Sequence, residues 1–502
     1  MPKKKGGRIC AVIEIGSDMV TMLIAQNRST GIEVLDRLEC FFDLEKETAT
    51  TGRIGQASIL ELCRILNGYR QEMEAYGVEA YRLFSTDFLR SADNFIFFKS
   101  QLTERTGLNL EIISDEEEKA LLYWQMQKAM ASFDRDKGDK YLYAVIGNES
   151  LGLALQSVKR QRLRQNLPVT VFDVLQMREE LAGDTELVSP VMNEFLEDGL
   201  DGLDSYGFRK SVKTLVFADA ELEAIARMCG VEIEDKRCMI PAEKLMQLGQ
   251  HLMEMMPENA GKEYGLSIKQ ERAIYASVLI YNKLTELTGV SVVIGVYGSL
   301  MGSLLEQMLL KPERKEYDQY MQENALGCAR TLAKRYGCAM EHAEKVCDFA
   351  EKLYQKTRKL HSQEDDLIYL KLACLLHNCG YFSDIEFHAH CSASLIETFN
   401  IPGMTLGQRK VIAQIQQSEG SRDNLRIQQL RAYFQLADAL DCCKKQKLSD
   451  ISIRLDGDRL TVSTVYDGNL YLEKKAFDAA AQLFYEVFGV LPVLHVKTAL
   501  LK

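Results

Sequence analysis

Two distant segments of the chain repeat one hydrophobic–polar alternation. Residues 9–13 form an apolar run, Glu14-Ile15-Gly16-Ser17-Asp18 a polar, small-residue turn, and residues 20–25 a second apolar run. Residues 141–146, the turn Gly147-Asn148-Glu149-Ser150 and residues 151–155 do the same. Each pattern predicts a β-hairpin. Glycine lets backbone N–H groups turn toward a phosphate, and a neighbouring hydroxyl or carboxamide adds donors. Two such hairpins far apart in sequence predict two related half-domains that close on a polyanion.

Between and after them strands and helices alternate. A strand is expected at 33–38. Apolar spacing at Ile59, Leu60, Leu62, Ile65 and Leu66 predicts a helix over 57–76. A strand at 81–85 leads to a loop holding Arg90, followed by a helix over 94–106, a strand at 110–113 and a helix over 115–131. This alternation predicts an α/β domain. The polar stretch 132–140 reads as a hinge, and a more helical second half extends to about residue 310. Beyond Lys311 the pattern is helical. The segment from Ile451 carries hairpin punctuation at Asp456-Gly457 and Asp467-Gly468, then an amphipathic helix and a strand at 492–496, which predicts a small α+β unit.

Composition changes this picture little. The 502 residues suffice for roughly three or four domains, and 46% hydrophobic with 26% charged residues is ordinary for a globular protein. No apolar run approaches the roughly 20 residues of a membrane span, and the basic start runs straight into a strand without the apolar core of a signal peptide. Thirteen scattered cysteines without a CxxC pair read as reduced thiols in a cytoplasm. A net charge of −11 argues against general nucleic-acid binding. It leaves room for a polyphosphate ligand in a locally positive cleft.

Several stretches together resemble the Ppx/GppA family of exopolyphosphatases and guanosine pentaphosphate phosphohydrolases, members of the actin-like superfamily. The family's Asp-x-Gly-Ser-Asn turn is similar to Glu14–Asp18, its Ala-Thr-Ser-Ala-Leu-Arg-Asp-Ala segment to Ser85–Ala92, and its Ile-Ser-Gly-x-Glu-Glu-Ala-Arg-Leu run to Ile113–Leu121. The resemblance implies two actin-like (ribonuclease H-like) half-domains at 1–135 and 136–312, an all-α HD-like domain at 313–448, and a small α+β domain at 449–502. It implies a cytoplasmic phosphohydrolase that releases orthophosphate from polyphosphate or guanosine pentaphosphate, assisted by Mg2+ and forming a homodimer, with no membrane or nucleic-acid partner.

Hydrolysis of a terminal phosphoanhydride needs a group to orient or deprotonate water and charge stabilisation on the phosphoryl group. The resemblance assigns the base to Glu117, with Glu118 as the alternative if the register slips. It assigns phosphate contacts to Ser17, Asp18, Arg90, Gly147, Asn148 and Ser150, and metal binding to Glu14, where the family has Asp. The second turn departs from the family's Asp-Ile-Gly-Gly-Gly-Ser: Val145 offers no carboxylate, and Asn148 and Glu149 replace glycines. Asp219 stands at a phosphate-facing glycine. These departures raise a second expectation, a catalytically silent protein that binds polyphosphate or guanosine tetra- or pentaphosphate. In the HD-like region, His342, His377 and Asp438 match metal-ligand positions, but Asn378 stands where an aspartate is needed; helix-packing histidines are the expected role.

Overall fold

A computed structural model describes residues 7–497 apart from 18, 30, 132–139, 148–149, 158–160, 182–184, 201–211, 256, 361–365 and 418–423. Asp18, Asn148 and Glu149 therefore lie outside the described residues. The chain divides into two compact units, residues 1–159 with 164–321, and residues 160–163 with 322–502.

The first unit holds two mixed sheets. In one, β1 (Ile9–Ile15), β2 (Met19–Arg28), β3 (Gly31–Phe41), β4 (Ala80–Thr86) and β5 (Leu110–Ile113) lie in the order β3-β2-β1-β4-β5. The first three are antiparallel neighbours, whereas β4 and β5 run parallel to β1. Parallel neighbours need crossovers, which helices Gln56–Tyr76 and Phe95–Thr106 supply. Helix Gln56–Tyr76 buries Ile59, Leu62, Leu66, Tyr69 and Met73 at three- and four-residue spacing and stops at Gly77, whose φ of 69° closes the helix.

The second sheet contains β6 (Lys140–Ile146), β7 (Leu151–Ser157), β8 (Gln161–Leu167), β9 (Val212–Asp219), β10 (Arg237–Pro241) and β11 (Val292–Tyr297), ordered β10-β11-β9-β6-β7-β8. Read from β8, it repeats the first sheet's order and adds β10 antiparallel at the edge. The two glycine turns occupy equivalent places. Gly16 N–H donates to Met19 O at 2.8 Å and Gly147 N–H to Ser150 O at 3.1 Å. Glu14 pairs with Thr21 on β2 and Phe84 on β4, and Val145 in the same way with Gly152 on β7 and Ala218 on β9. This duplicated topology is the actin-like arrangement expected from the sequence.

The second unit is mainly helical. Helices Met340–Lys356, Asp366–Leu376, His388–Thr398, Leu406–Gln416 and Leu425–Ala439 share one apolar core with the strands and helix that follow. Those are β12 (Ser452–Asp456), β13 (Arg459–Val465), helix Tyr471–Phe488 and β14 (Leu491–Lys497). Asp456-Gly457 makes the expected hairpin, with Gly457 at φ 58°. Asp467-Gly468 does not: β14 pairs parallel to β13, so the chain crosses over through the helix rather than doubling back. Among the described residues no helix is long and apolar enough to cross a membrane, and all thirteen cysteines are free thiols.

Candidate functional site

The site begins with one helix start. Ser114, in extended conformation, caps helix Asp115–Ala129 by accepting the Glu117 N–H at 3.3 Å, and Asp115, Glu116, Glu117 and Glu118 fill the first turn. Negative charge there is favoured by the helix dipole. At 100° per residue, Asp115, Glu118, Lys119 and Leu122 share one face, while Glu117 lies on the far side. Leu122, Tyr123 and Met126 continue the inward face, packed on β6, β9 and β11.

Glu117 and Glu118 are separated accordingly. The Glu117 side chain is 47% exposed, with Arg82 Nη2 at 4.0 Å from Oε1. Glu118 lies among other carboxylates. Burial, followed by the negative charges of Asp115 and Glu14, pushes its pKa from 4.5 to about 7; Lys119 opposes the rise and Asp87 adds to it. Glu118 Oε2 and Asp115 Oδ1 are buried and accept no hydrogen bond. With Glu14 nearby they concentrate negative charge here, but they are not among the groups of described residues whose ligand atoms lie within 4.8 Å of one another.

Asp87 joins this cluster from the other side. It opens the 3-10 turn Asp87–Ser91 after β4 and accepts the Asp115 N–H at 3.1 Å. Arg90 in the same turn is 57% exposed, its Nε 3.3 Å from Asp87 Oδ1. Its guanidinium therefore borders the carboxylates while staying open to solvent. Ser17 lies in the first turn, where its carbonyl accepts the Leu44 N–H at 2.9 Å.

The second turn is engaged differently. Lys119, with no exposed side-chain surface, donates from Nζ to Asp115 Oδ2 at 2.5 Å and to Ser150 Oγ. Ser150 Oγ in turn donates to Asp115 Oδ2 at 3.0 Å. Glycine makes the room: a Cβ on Gly147 would lie 2.5 Å from Asp115 Oδ1, and one on Gly152 2.6 Å from Lys119 Cδ. Arg164, also buried, donates to the Glu116 carbonyl at 3.0 Å and lies 5.2 Å from the Tyr123 ring centre. Sequence reasoning missed Lys119 and Asp115. The signal was their i, i+4 spacing in phase with Leu122, Tyr123 and Met126.

Asp219, at the end of β9, is held by the Glu221 N–H at 2.8 Å and the Tyr281 hydroxyl at 3.2 Å. Burial raises its pKa against those hydrogen bonds. A cavity of 680 Å³ opens elsewhere, among helices Thr185–Gly199, Ala242–Glu254 and Ile268–Thr288, lined by Met192, Met246 and Asn282; no residue of the carboxylate cluster lines it.

In the helical unit His342, His377 and Asp438 do converge. His377 Nδ1–H donates to the Cys374 carbonyl at 2.7 Å, which leaves Nε2 as an acceptor. That acceptor faces His342 Nε2 at 3.1 Å and the Asn378 amide at 2.8 Å. His342 also meets Asp441 Oδ2 at 2.9 Å and Asp438 Oδ1 at 3.2 Å. Burial works against charge on His342, but the two carboxylates outweigh it and raise its pKa to about 9; burial lowers His377 to about 4. The network is internally satisfied as a buried imidazolium between carboxylates. The Asn378 amide fills the lone pair a metal would need.

A duplicated sheet with a glycine turn at the same place in each half defines a protein of the actin-like class. The chain belongs to the Ppx/GppA phosphatase family: the family profile matches residues 23–138 and the profile of its domain III matches residues 327–475, together more than half of the chain. A relative from Aliivibrio fischeri (strain MJ11), guanosine-5'-triphosphate,3'-diphosphate pyrophosphatase, is 20% identical over 413 residues, covering 81% of this chain and 79% of that protein. Among solved structures, the Aquifex aeolicus Ppx/GppA family member is similar with a TM-score of 0.51 and 21% identity, over 61% of this chain and 98% of that one. A type II variant of the Aquifex aeolicus Ppx/GppA phosphatase gives a TM-score of 0.50 and 20% identity, over 60% of this chain and 100% of that one.

Proposed function

We propose that the chain hydrolyses the terminal phosphoanhydride of inorganic polyphosphate or guanosine pentaphosphate, with Glu118 rather than Glu117 as general base. The observation that carries this is Glu118 itself: a half-buried side chain with one buried, unpartnered oxygen in the field of Asp115 and Glu14, its pKa raised to about 7. A base works best when its pKa is near the working pH. Ionised Glu118 takes a proton from the attacking water as the new P–O bond forms. The bond to the bridging oxygen breaks, and the chain leaves one phosphate shorter. Arg90 offers a guanidinium fork to the terminal oxygens, and the Gly16-Ser17 turn supplies backbone and hydroxyl donors. Mg2+ recruited through Glu14, as the family resemblance implies, would neutralise charge on the phosphate oxygens. The name of the Aliivibrio fischeri relative supports the guanosine substrate.

A second reading is favoured by one specific observation. Lys119 engages Ser150 and Asp115, and Val145 stands where the first half has the Glu14 carboxylate. In that reading the same ligands bind without turnover. Orthophosphate release from each substrate with Mg2+, alongside calorimetric binding, separates the two. Release inhibited by chelator supports the hydrolase; binding without release supports the silent form.

A further inference from the structure

The end of helix Leu425–Ala439 carries a group of metal-ligating side chains that the phosphate chemistry leaves unused. Cys442 and Cys443 lie just past that helix, beyond its C-cap Leu440 and Asp441, and Glu473 lies in the first turn of helix Tyr471–Phe488. The two sulfurs and a Glu473 carboxylate oxygen all lie within 4.8 Å of one another. Both thiols are half-buried and so reachable from solvent. Glu473 is only 1% exposed. Its Oε1 pairs with Lys447 Nζ at 2.8 Å, while the buried Oε2 has no nitrogen or oxygen donor. The connecting loop is held in place from behind: Asp441 accepts the Gln446 N–H at 2.7 Å and the Gln446 amide at 3.0 Å.

We propose that Cys442, Cys443 and Glu473 form a site for a thiophilic d10 cation of the Zn2+ or Cd2+ class. Two thiolates select a soft or borderline ion over Mg2+ or Ca2+, which prefer all-oxygen shells. With metal–sulfur bonds near 2.3 Å, ligand atoms of a tetrahedral site stand roughly 3.5–3.8 Å apart. Small rotations of two exposed-side thiols close the present separation to that value. Binding forms two metal–sulfur bonds and one metal–oxygen bond and releases the thiol protons to solvent; water completes the shell. The bound ion would tie the end of helix Leu425–Ala439 to the start of helix Tyr471–Phe488. It is separate from the His342–His377–Asp438 group, which contributes no ligand to it.

Titration of the full-length chain with Cd2+, followed by the thiolate-to-cadmium charge-transfer absorbance, tests the site. Chelator competition gives the affinity. One equivalent should bind with that absorbance in the wild type and equally in Asp438→Asn, which changes the half-exposed member of the histidine group. Cys442→Ser/Cys443→Ser should lose it while keeping wild-type circular dichroism, and Glu473→Gln should weaken binding about tenfold or more. Should the serine variant misfold, Cys442→Ser alone serves, with at least half of the charge-transfer intensity lost. Unchanged stoichiometry and absorbance in these cysteine variants, or loss of binding in a folded Asp438→Asn instead, would overturn the proposal.

Discussion

Burial raises the pKa of both Glu117 and Glu118, but Arg82 opposes the rise at Glu117 whereas the Asp115 and Glu14 charges add to it at Glu118. Glu118→Gln is expected to lower orthophosphate release by roughly 10²–10⁴-fold, whereas Glu117→Gln should change it only a few-fold. The pH dependence has a defined sign. A pKa raised from 4.5 to about 7 means that the folded state holds the proton more tightly than the unfolded chain. The protonated carboxyl therefore favours folding below the unfolded value, and that advantage is lost as pH rises through about 7. Activity should rise over that interval as the base ionises. Glu118→Gln should be more resistant to denaturant than wild type at pH 8, on the order of 2 kcal/mol, with the gap closing toward pH 4.5. Lys119 carries the complementary charge. Lys119→Met would strand the Asp115 carboxylate and should cost about 3–5 kcal/mol in urea unfolding, as removal of one partner from a buried pair does.

At the scale of elements, the hairpins, their glycines and the crossover helices were legible because each has a strong local signal. Period-2 apolar runs gave β1, β2, β6 and β7, and three- and four-residue spacing gave helix Gln56–Tyr76. What the sequence hid was relational. No local pattern tells a hairpin from a strand leading into a parallel crossover, so Asp467-Gly468 was misread while Asp456-Gly457 was not. The glycine of the second turn was legible as a turn, but its contact with Asp115 and Lys119 depends on packing. Gly147→Ala would place a Cβ 2.5 Å from Asp115 Oδ1. It should destabilise by about 1–3 kcal/mol and reduce phosphate release, measured on the same preparation. The histidines of the helical unit were legible as a group, and their partner Asp441 was not. His342→Gln should cost about 3–5 kcal/mol near neutral pH. With a folded pKa of about 9, the imidazolium's contribution is full below 6.5 and fades as pH rises through 9; unfolding of both proteins at pH 7 and pH 10 checks this.

Across the whole molecule, a net charge of −11 coexists with cations placed around the start of helix Asp115–Ala129. Lys119 lies buried against the second half's turn, Arg164 lies buried against the Glu116 carbonyl, and Arg90 borders the first half's carboxylates. The duplication makes the asymmetry plain: Glu14 and Val145 hold equivalent places, yet only the first half offers a carboxylate. The chemistry is thus weighted to the first half, where Glu14, Asp87, Asp115 and Glu118 gather. The most direct test is orthophosphate release from guanosine pentaphosphate and long-chain polyphosphate with Mg2+, comparing wild type, Glu117→Gln and Glu118→Gln at pH 8. Release by wild type and Glu117→Gln but not by Glu118→Gln is the expected result. Release that survives in Glu118→Gln and disappears in Glu117→Gln would contradict it.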